Sequence, residues 1–528
     1  MLHRTRAWAH FALIVAAVAV GLSLVLPLSA QDESYFPTTD WRISTPEAQG
    51  LDSAQLAGFF QTFSQKHFNL DSLLIVRNGY VVAEAYHPPF KQNMPHQLYS
   101  VTKSVTSALV GILLKDGYLK SLDTPVVSLF PERTIQNLNA NKKAMTIRDL
   151  LTMRAGFACD VNTGADTNTE QMLASDDWLQ YTLDMPMGSK PGTEFHYCNN
   201  VAFLLSGIVN QTTGMSAVDF AAEKLFGPLG ITNYVWAVSP HGVAFGASDL
   251  QLTTRDMAKF GYLFLNDGKW NGQQIIPADY AKAAISPQTE TGWQDTSYGY
   301  MWWYADSIKA PLALGSGGQY IRLDPERNII AVVTGGFTEA LRAPLQYPFT
   351  YFMATWNAAD DALPENADAQ QQLKDVIARI ENPAAVTVQA QPEIAAQVSG
   401  QNYMLFTPVQ LPQADLVPNQ QVNATMVSFN FEDKASARLT FKFADGQEWV
   451  APVSMNGVDA VSESPVGPIG ATAEWLTDNE LCISLKYVGA SAMMRLDVSF
   501  IPGGIEILGT EYVTGQSHTA VGVMMQEQ

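Results

Sequence analysis

The chain has 528 residues, 47% of them hydrophobic, with Lys+Arg 31 against Asp+Glu 51 and a formal charge of −20. It is too long for one compact domain on the usual size scale and apolar enough to bury at least one large core. So acidic a chain repels nucleic acid and anionic lipid, which argues against both as partners and fits solubility in an exported compartment.

In chain order, the N-terminus is a separate object. Arg4 and Arg6 precede an apolar run from Phe11 to Leu26, which ends "PLSA" before the acidic "QDE". A basic start, an apolar middle and a small residue at Ala30 read as a signal peptide over 1–30, with a periplasmic or secreted destination. The rival reading is an uncleaved anchor, since the run approaches the ~18 residues of a membrane span. Cleavage would move the formal charge from −20 to −22, because the leader holds two of the basic residues and no acids.

Residues 31–357 alternate strand-like and helix-like segments. "DSAQLAGFFQTFSQKHF" has helical spacing with Asp52 or Ser53 as its cap. "SLLIVRNGYVVAEAY" is a hairpin, two β-branched runs joined by Asn78-Gly79. A second hairpin, "YIRLDPERNIIAVVTGG", closes the region, with Pro325 and Asn328 in its turn. Helices and loops fill the middle, which predicts one antiparallel sheet built from both termini of an α+β domain. Residues 358–395 shift to Ala, Gln, Asp and Pro and read as a linker with one amphipathic helix. Residues 396–528 are short alternating runs bounded by Gly, Asn or Asp, an all-β sandwich or barrel. Of the three cysteines, Cys159 and Cys198 flank the candidate site segments and are the favoured pair for one disulfide after export. Separate free thiols are the alternative.

The chemistry begins at "LYSVTKS". A serine and a lysine three apart on a helix share one face, and Ser100 is the only serine in the chain with a lysine three residues on. A serine hydroxyl is a poor nucleophile until a base takes its proton, and a lysine can be that base once burial or a neighbouring cation favours its neutral form. The apolar stretch after Lys103 supplies the burial. A capping serine beside a solvated lysine is the plain alternative. Two further elements follow: Tyr197-Cys198-Asn199, the only Tyr-x-Asn in the chain, on a loop before an apolar helix; and "ALGSGGQYIRLDP", a glycine-rich lead into a strand.

These three motifs, in this order, resemble those of the β-lactamase-related serine hydrolases, in the branch with class C β-lactamases, D-aminopeptidases, esterases and 6-aminohexanoate-dimer hydrolases. "MTIRDLLTMRAGF", "FGPLGI" and "LTTRDMAKFGYLFLNDG" are similar to that family's connecting segments, so the resemblance spans roughly residues 40–356. It implies a β-lactamase/transpeptidase-like domain in which Ser100 is acylated, Lys103 is its base partner and Tyr197 shuttles the proton. Asn199 would orient Lys103 and the acyl group, or cap its loop. The N–H groups of Ser100 and Gln319 would form the oxyanion hole. Where β-lactamases carry Lys-Thr-Gly, this chain has Ser316-Gly317-Gly318. Without the lysine, a substrate lacking an obligatory carboxylate is expected, and penicillins are not the expected substrates. The C-terminal module resembles the lipocalin-like domains that follow some family members.

Weaker candidates complete the reading. His196 is expected packed or partly exposed, and the scattered histidines offer no zinc spacing. "CDVNTGADTNTE" lacks calcium-loop spacing and reads as a loop near the cleft. Trp302 and Trp303 are candidates for an aromatic acyl-binding wall or for core. The expectation is thus an exported, cofactor-free serine hydrolase acting on a small ester, amide or short peptide. The alternatives are a peptidoglycan peptidase or transpeptidase and a non-catalytic binding protein that keeps the fold.

Overall fold

The fold follows from where the two hairpins meet. A computed structural model describes residues 35–64, 69–159, 167–337, 353–411, 422–512 and 515–525; the leader expected over 1–30 lies outside the described residues. After the short strand β1 (Arg42–Ile43) comes helix α1 (Ser53–Phe63), capped as expected by Asp52, which accepts the Ala54 N–H at 2.8 Å. The first hairpin is β2 (Leu70–Arg77) and β3 (Tyr80–Tyr86). Asn78 and Gly79 both take the positive φ (51° and 78°) that a two-residue turn between twisted strands requires.

Three helices carry the middle of the domain: α2 (Val101–Lys115), α3 (Asn199–Thr213) and α4 (Thr254–Leu265). Six strands then complete the sheet: β4 (Thr289–Glu290), β5 (Thr296–Tyr298), β6 (Trp303–Ala305), β7 (Ala310–Gly315), β8 (Gln319–Asp324) and β9 (Ile329–Gly335). The order across the nine strands is β1-β3-β2-β9-β8-β7-β6-β5-β4. The last hairpin therefore docks on the first, with Ala331 opposite Ile75 in an antiparallel pair. Every residue of β2 and β9 is buried, which is why both read as nearly unbroken apolar runs. Helix α4 packs across β2, β8 and β9, and α2 lies against α3 and the β7–β8 edge.

The linker segment does contain the expected amphipathic helix, α5 (Ala367–Glu381), capped by Asn366. Its buried residues Ala369, Leu373, Val376 and Ile380 fall at helical spacing on one face, which packs on α1 and β3. This part of 358–395 is fastened to the first domain and is no free tether.

The C-terminal module is a closed barrel. Its strands are β10 (Asn402–Leu411), β11 (Val422–Phe431), β12 (Ser436–Phe443), β13 (Glu448–Ser454), β14 (Ala460–Ser464), β15 (Gly467–Trp475), β16 (Glu480–Tyr487), β17 (Met493–Ile501), β18 (Gly504–Glu511) and β19 (Ser517–Met524). β10 pairs with both β11 and β19, and β13 meets β15 to close a ring of nine, from which β14 hangs on β15. Inward residues alternate along the strands and fill the interior, among them Tyr403, Phe441, Trp449, Trp475 and Phe500.

Residues Pro37–Gln528 form one compact unit, and charge marks the contact between its domains. Asp71, fully buried on β2, meets Lys486 of β16 at 2.7 Å and His96 at 3.0 Å. Burial pushes the Asp71 carboxyl up, but Lys486 and His96 outweigh it and hold the group below the usual carboxylate value. Lys486 also lies 4.9 Å from the Phe90 ring centroid.

Candidate active site

Ser100 stands at the N-terminal end of α2, immediately before its first helical residue. The residue before it, Tyr99, has φ 47°, a left-handed conformation that is rare and costly for an aromatic side chain. Val101 to Leu113 are all buried, so this is a core helix and no surface face. Lys103 sits one turn on, 1% exposed, and its Nζ reaches the Ser100 Oγ at 2.8 Å. It also donates to the Ala247 carbonyl at 2.9 Å and lies 4.8 Å from the centre of the Tyr197 ring. The spacing that raised the catalytic reading has brought its two side chains into contact, with Tyr197 beside them.

Tyr197 and Asn199 straddle the start of α3: Cys198 is the cap residue and Asn199 the first helical one. Cys198 is disulfide-bonded to Cys159, the favoured pair, and Cys482 is free and buried. The Tyr197 ring stacks on Trp303 (centroids 5.4 Å, planes 25° apart), and Trp303 stacks on Trp293 at 5.3 Å. Phe195 meets Trp293, Tyr298 and Trp303 edge-on. Burial, and then the neighbouring Tyr197, push the Tyr298 phenol well above its ordinary value, so Tyr298 stays neutral. Trp302 and Trp303 are both buried, with different neighbours. Trp302 is core, packed on Phe260 and Phe264, whereas Trp303 belongs to the wall beside Tyr197. His196 is partly exposed and paired with Glu194 at 3.2 Å, a surface residue as expected.

The glycine-rich segment lies next to the turn that leads into Ser100. A Cβ on Gly315 would fall 2.3 Å from the Leu98 carbonyl oxygen, two residues before Ser100. Gly317 and Gly318 have φ of 72° and 98°, and a Cβ on Gly318 would meet the Phe337 ring at 2.1 Å. Both positions therefore require glycine for conformation and for space. Ser316 is half-buried and uncharged, and Gln319 opens β8 with its side chain turned into the protein. Its Nε2 donates to the carbonyls of Gly335 (2.8 Å) and Ser316 (3.1 Å).

The Ala247 carbonyl is not legible in the sequence, since a backbone acceptor carries no side-chain signature. Trp293 and Phe195 were also missed, although the aromatic density of "YGYMWWYADS" hinted at such a wall. Among the described residues no group of His, Cys, Asp and Glu could hold a metal ion. Residues 160–166 of the oxygen-rich loop lie outside the described residues.

A family model described as Beta-lactamase matches residues 56–340. The chain belongs to the beta-lactamase family. It is similar to the 6-aminohexanoate-dimer hydrolase of Paenarthrobacter ureafaciens, 24% identical over 284 residues that cover 50% of this chain and 71% of that protein. Penicillin-binding protein 4 of Amycolatopsis lactamdurans is 27% identical over 294 residues, covering 46% and 74%. Among solved structures, a penicillin-binding protein from Bacillus halodurans shares 18% identity with a TM-score of 0.44, covering 54% of this chain and 99% of that one. Beta-lactamase-family proteins of this branch are serine hydrolases, and the match spans the first two motifs and the Ser316-Gly317-Gly318 segment.

Proposed function

We propose that the protein is an exported serine hydrolase that cleaves an ester or amide bond through an acyl-enzyme on Ser100. The observation that carries this is the Lys103 nitrogen, buried, 2.8 Å from the Ser100 Oγ and close to the Tyr197 ring. A hydroxyl held against a buried amine, with a tyrosine ring on that amine's other side, has a route for its proton, which is what attack on a carbonyl needs. In this mechanism the Lys103–Tyr197 pair takes the Ser100 proton as Oγ attacks. The N–H groups of Ser100 and Gln319 hold the oxyanion. Tyr197 passes the proton to the leaving group, and water, activated by the same pair, releases the acid. Losing one oxyanion donor of this kind costs about 3–4 kcal/mol of transition-state stabilisation.

The neutral Ser316 supports a small substrate without an obligatory carboxylate, and the Trp303–Trp293–Phe195 wall suits an apolar or aromatic group. Neither nucleic acid nor an anionic membrane surface suits a chain of formal charge −20. No cofactor is needed by these steps.

The test is intact-protein mass spectrometry after treatment with a fluorophosphonate probe and, separately, with a penicillin, with Ser100→Ala alongside. A probe adduct absent from the mutant supports the activated serine. Labelling by penicillin as well would favour a peptidoglycan enzyme over the esterase or amidase. A folded protein that takes neither reagent would overturn the catalytic reading and leave a binding protein.

A further inference from the structure

We infer that the C-terminal barrel is a working part of the active site, with Ser491 as a positioning residue for the oxyanion segment; this rests on the serine-hydrolase reading above. The turn over 488–492, between β16 and β17, is wedged into the first domain at two places that flank the site. On one side the Gly489 carbonyl accepts the Gln97 N–H at 2.7 Å, three residues before Ser100. On the other, the Ser491 hydroxyl accepts from Gln319 Nε2 at 3.0 Å. One short turn from the barrel thus holds both Gln97, on the segment that leads to Ser100, and Gln319, the residue assigned the second oxyanion donor.

The fit around Ser491 is close. The residue is buried, and a Cβ on Gly317 would fall 2.3 Å from its Oγ and 2.4 Å from its own Cβ. Its carbonyl oxygen would lie 2.7 Å from a Cβ on Gly336. Ser491 therefore fills the space that a side chain at position 317 would take, between the start of β8 and the end of β9. The Gln319 amide completes the arrangement: its nitrogen ties Ser316, Gly335 and Ser491 together, and its oxygen accepts the Gly335 N–H at 3.3 Å. The side chain of Gln319 is thus anchored partly on the barrel, and its backbone N–H is placed by that anchor. Displacements of about 1 Å in such a donor cost on the order of 100-fold in rate. Ser491 touches no substrate in this scheme; it acts through Gln319 and Gly317.

The test uses full-length protein and the rate of Ser100 modification by a fluorophosphonate, resolved into the maximal rate and the half-saturating concentration, with the melting temperature of each variant. Ser491→Ala is expected to lower the maximal rate about ten-fold, with half-saturation and melting temperature little changed. Gly317→Ala is expected to slow labelling at least 100-fold. Adding Ser491→Gly to Gly317→Ala is expected to recover at least ten-fold of that, because the collision with Ser491 is relieved while the strain at φ 72° stays in both. A merely structural role for Ser491 would instead lower the melting temperature of Ser491→Ala and leave its maximal rate unchanged. Wild-type labelling with Ser491→Ala unaltered, or a double variant no faster than Gly317→Ala, overturns the inference and leaves the hydrolase reading intact. If Gly317→Ala does not fold, the Ser491→Ala rate alone decides. A wild-type protein that is not labelled at Ser100 overturns both.

Discussion

Replacing Lys486 by methionine, which keeps most of the side-chain volume, strands a carboxylate. Asp71 is fully buried, and its Oδ1 lies 2.7 Å from the Lys486 nitrogen. At an effective dielectric constant near 20, two unit charges at that distance attract by about 6 kcal/mol. The desolvation of both ions offsets much of this, so the pair itself is a modest net stabiliser. Removing one partner is different, because the other stays buried; such losses run to about 3–5 kcal/mol. A chain of this length unfolding cooperatively has a melting entropy of about 1 kcal/mol per degree. Lys486→Met should therefore lower the melting temperature by about 3–5 °C at pH 7.5 in scanning calorimetry. Adding Asp71→Asn, which removes the stranded charge, should recover at least half.

The pH dependence has a definite sign. In the wild type, Asp71 titrates below its unfolded value, so its stabilisation is present above about pH 4 and is lost as pH falls through the folded value. In Lys486→Met burial is opposed by His96 alone, so protonation of Asp71 relieves the variant and its deficit shrinks on acidification. The neighbours act in the same direction. Burial and then Lys486 hold His87 below its usual value, and without Lys486 it takes a proton more readily beside Asp71. Asp459 is raised by burial and drawn down by Lys486, so it too protonates earlier in the variant. A variant within about 0.5 kcal/mol of wild type, or a deficit that widens toward pH 5, would refute the reasoning.

Three further outcomes are expected. Tyr197→Phe keeps the ring stacked on Trp303 and removes only the hydroxyl, so turnover of an ester substrate should fall about 10²–10⁴-fold with the melting temperature unchanged; a smaller loss would remove Tyr197 from proton transfer. Cys159 and Cys198 close a loop with a sequence separation of 39, so Cys159→Ser with Cys198→Ser should cost up to about 4 kcal/mol in denaturant unfolding on the chain-entropy scale. Burial pushes the Cys482 thiol up to about 11, so it should resist a thiol-titrating disulfide reagent at pH 8 and react once guanidinium unfolds the chain; rapid stoichiometric reaction of the native protein would contradict its burial.

Local chemistry made much of this legible in the sequence. Asn78-Gly79 and Asp52 are short-range signals whose geometry is set within a few residues, and both appear as read. The unbroken apolar runs of β2 and β9 announced a sheet closed from both ends, and Ser100 with Lys103 needed only helical spacing to meet. What was illegible depends on distant partners. Trp302 and Trp303 are adjacent and chemically identical, and only tertiary packing sets one on Phe260 and Phe264 of α4 and the other between Tyr197 and Trp293. Ser491 is one small polar residue in a Gly-Ala-Ser-Ala turn, and its place beside Gly317 is fixed by how two domains dock. The 358–395 segment reads as a linker with one amphipathic helix, and the helix is there; what its sequence does not name is the pair of elements, α1 and β3, on which its four apolar residues pack.

The pairing of Ile75 with Ala331 has a consequence for the order in which the molecule can be assembled. During synthesis at about 5–20 residues per second, β2 waits tens of seconds for the strand it must lie against. Until then it has only its hairpin partner, and a lone hairpin is marginal in water. The first half of the chain therefore leaves the ribosome without a sheet to fold onto, and the Leu98 turn before Ser100 meets Gly315 only after most of the first domain has been made. The candidate site is therefore incomplete along most of the chain's production.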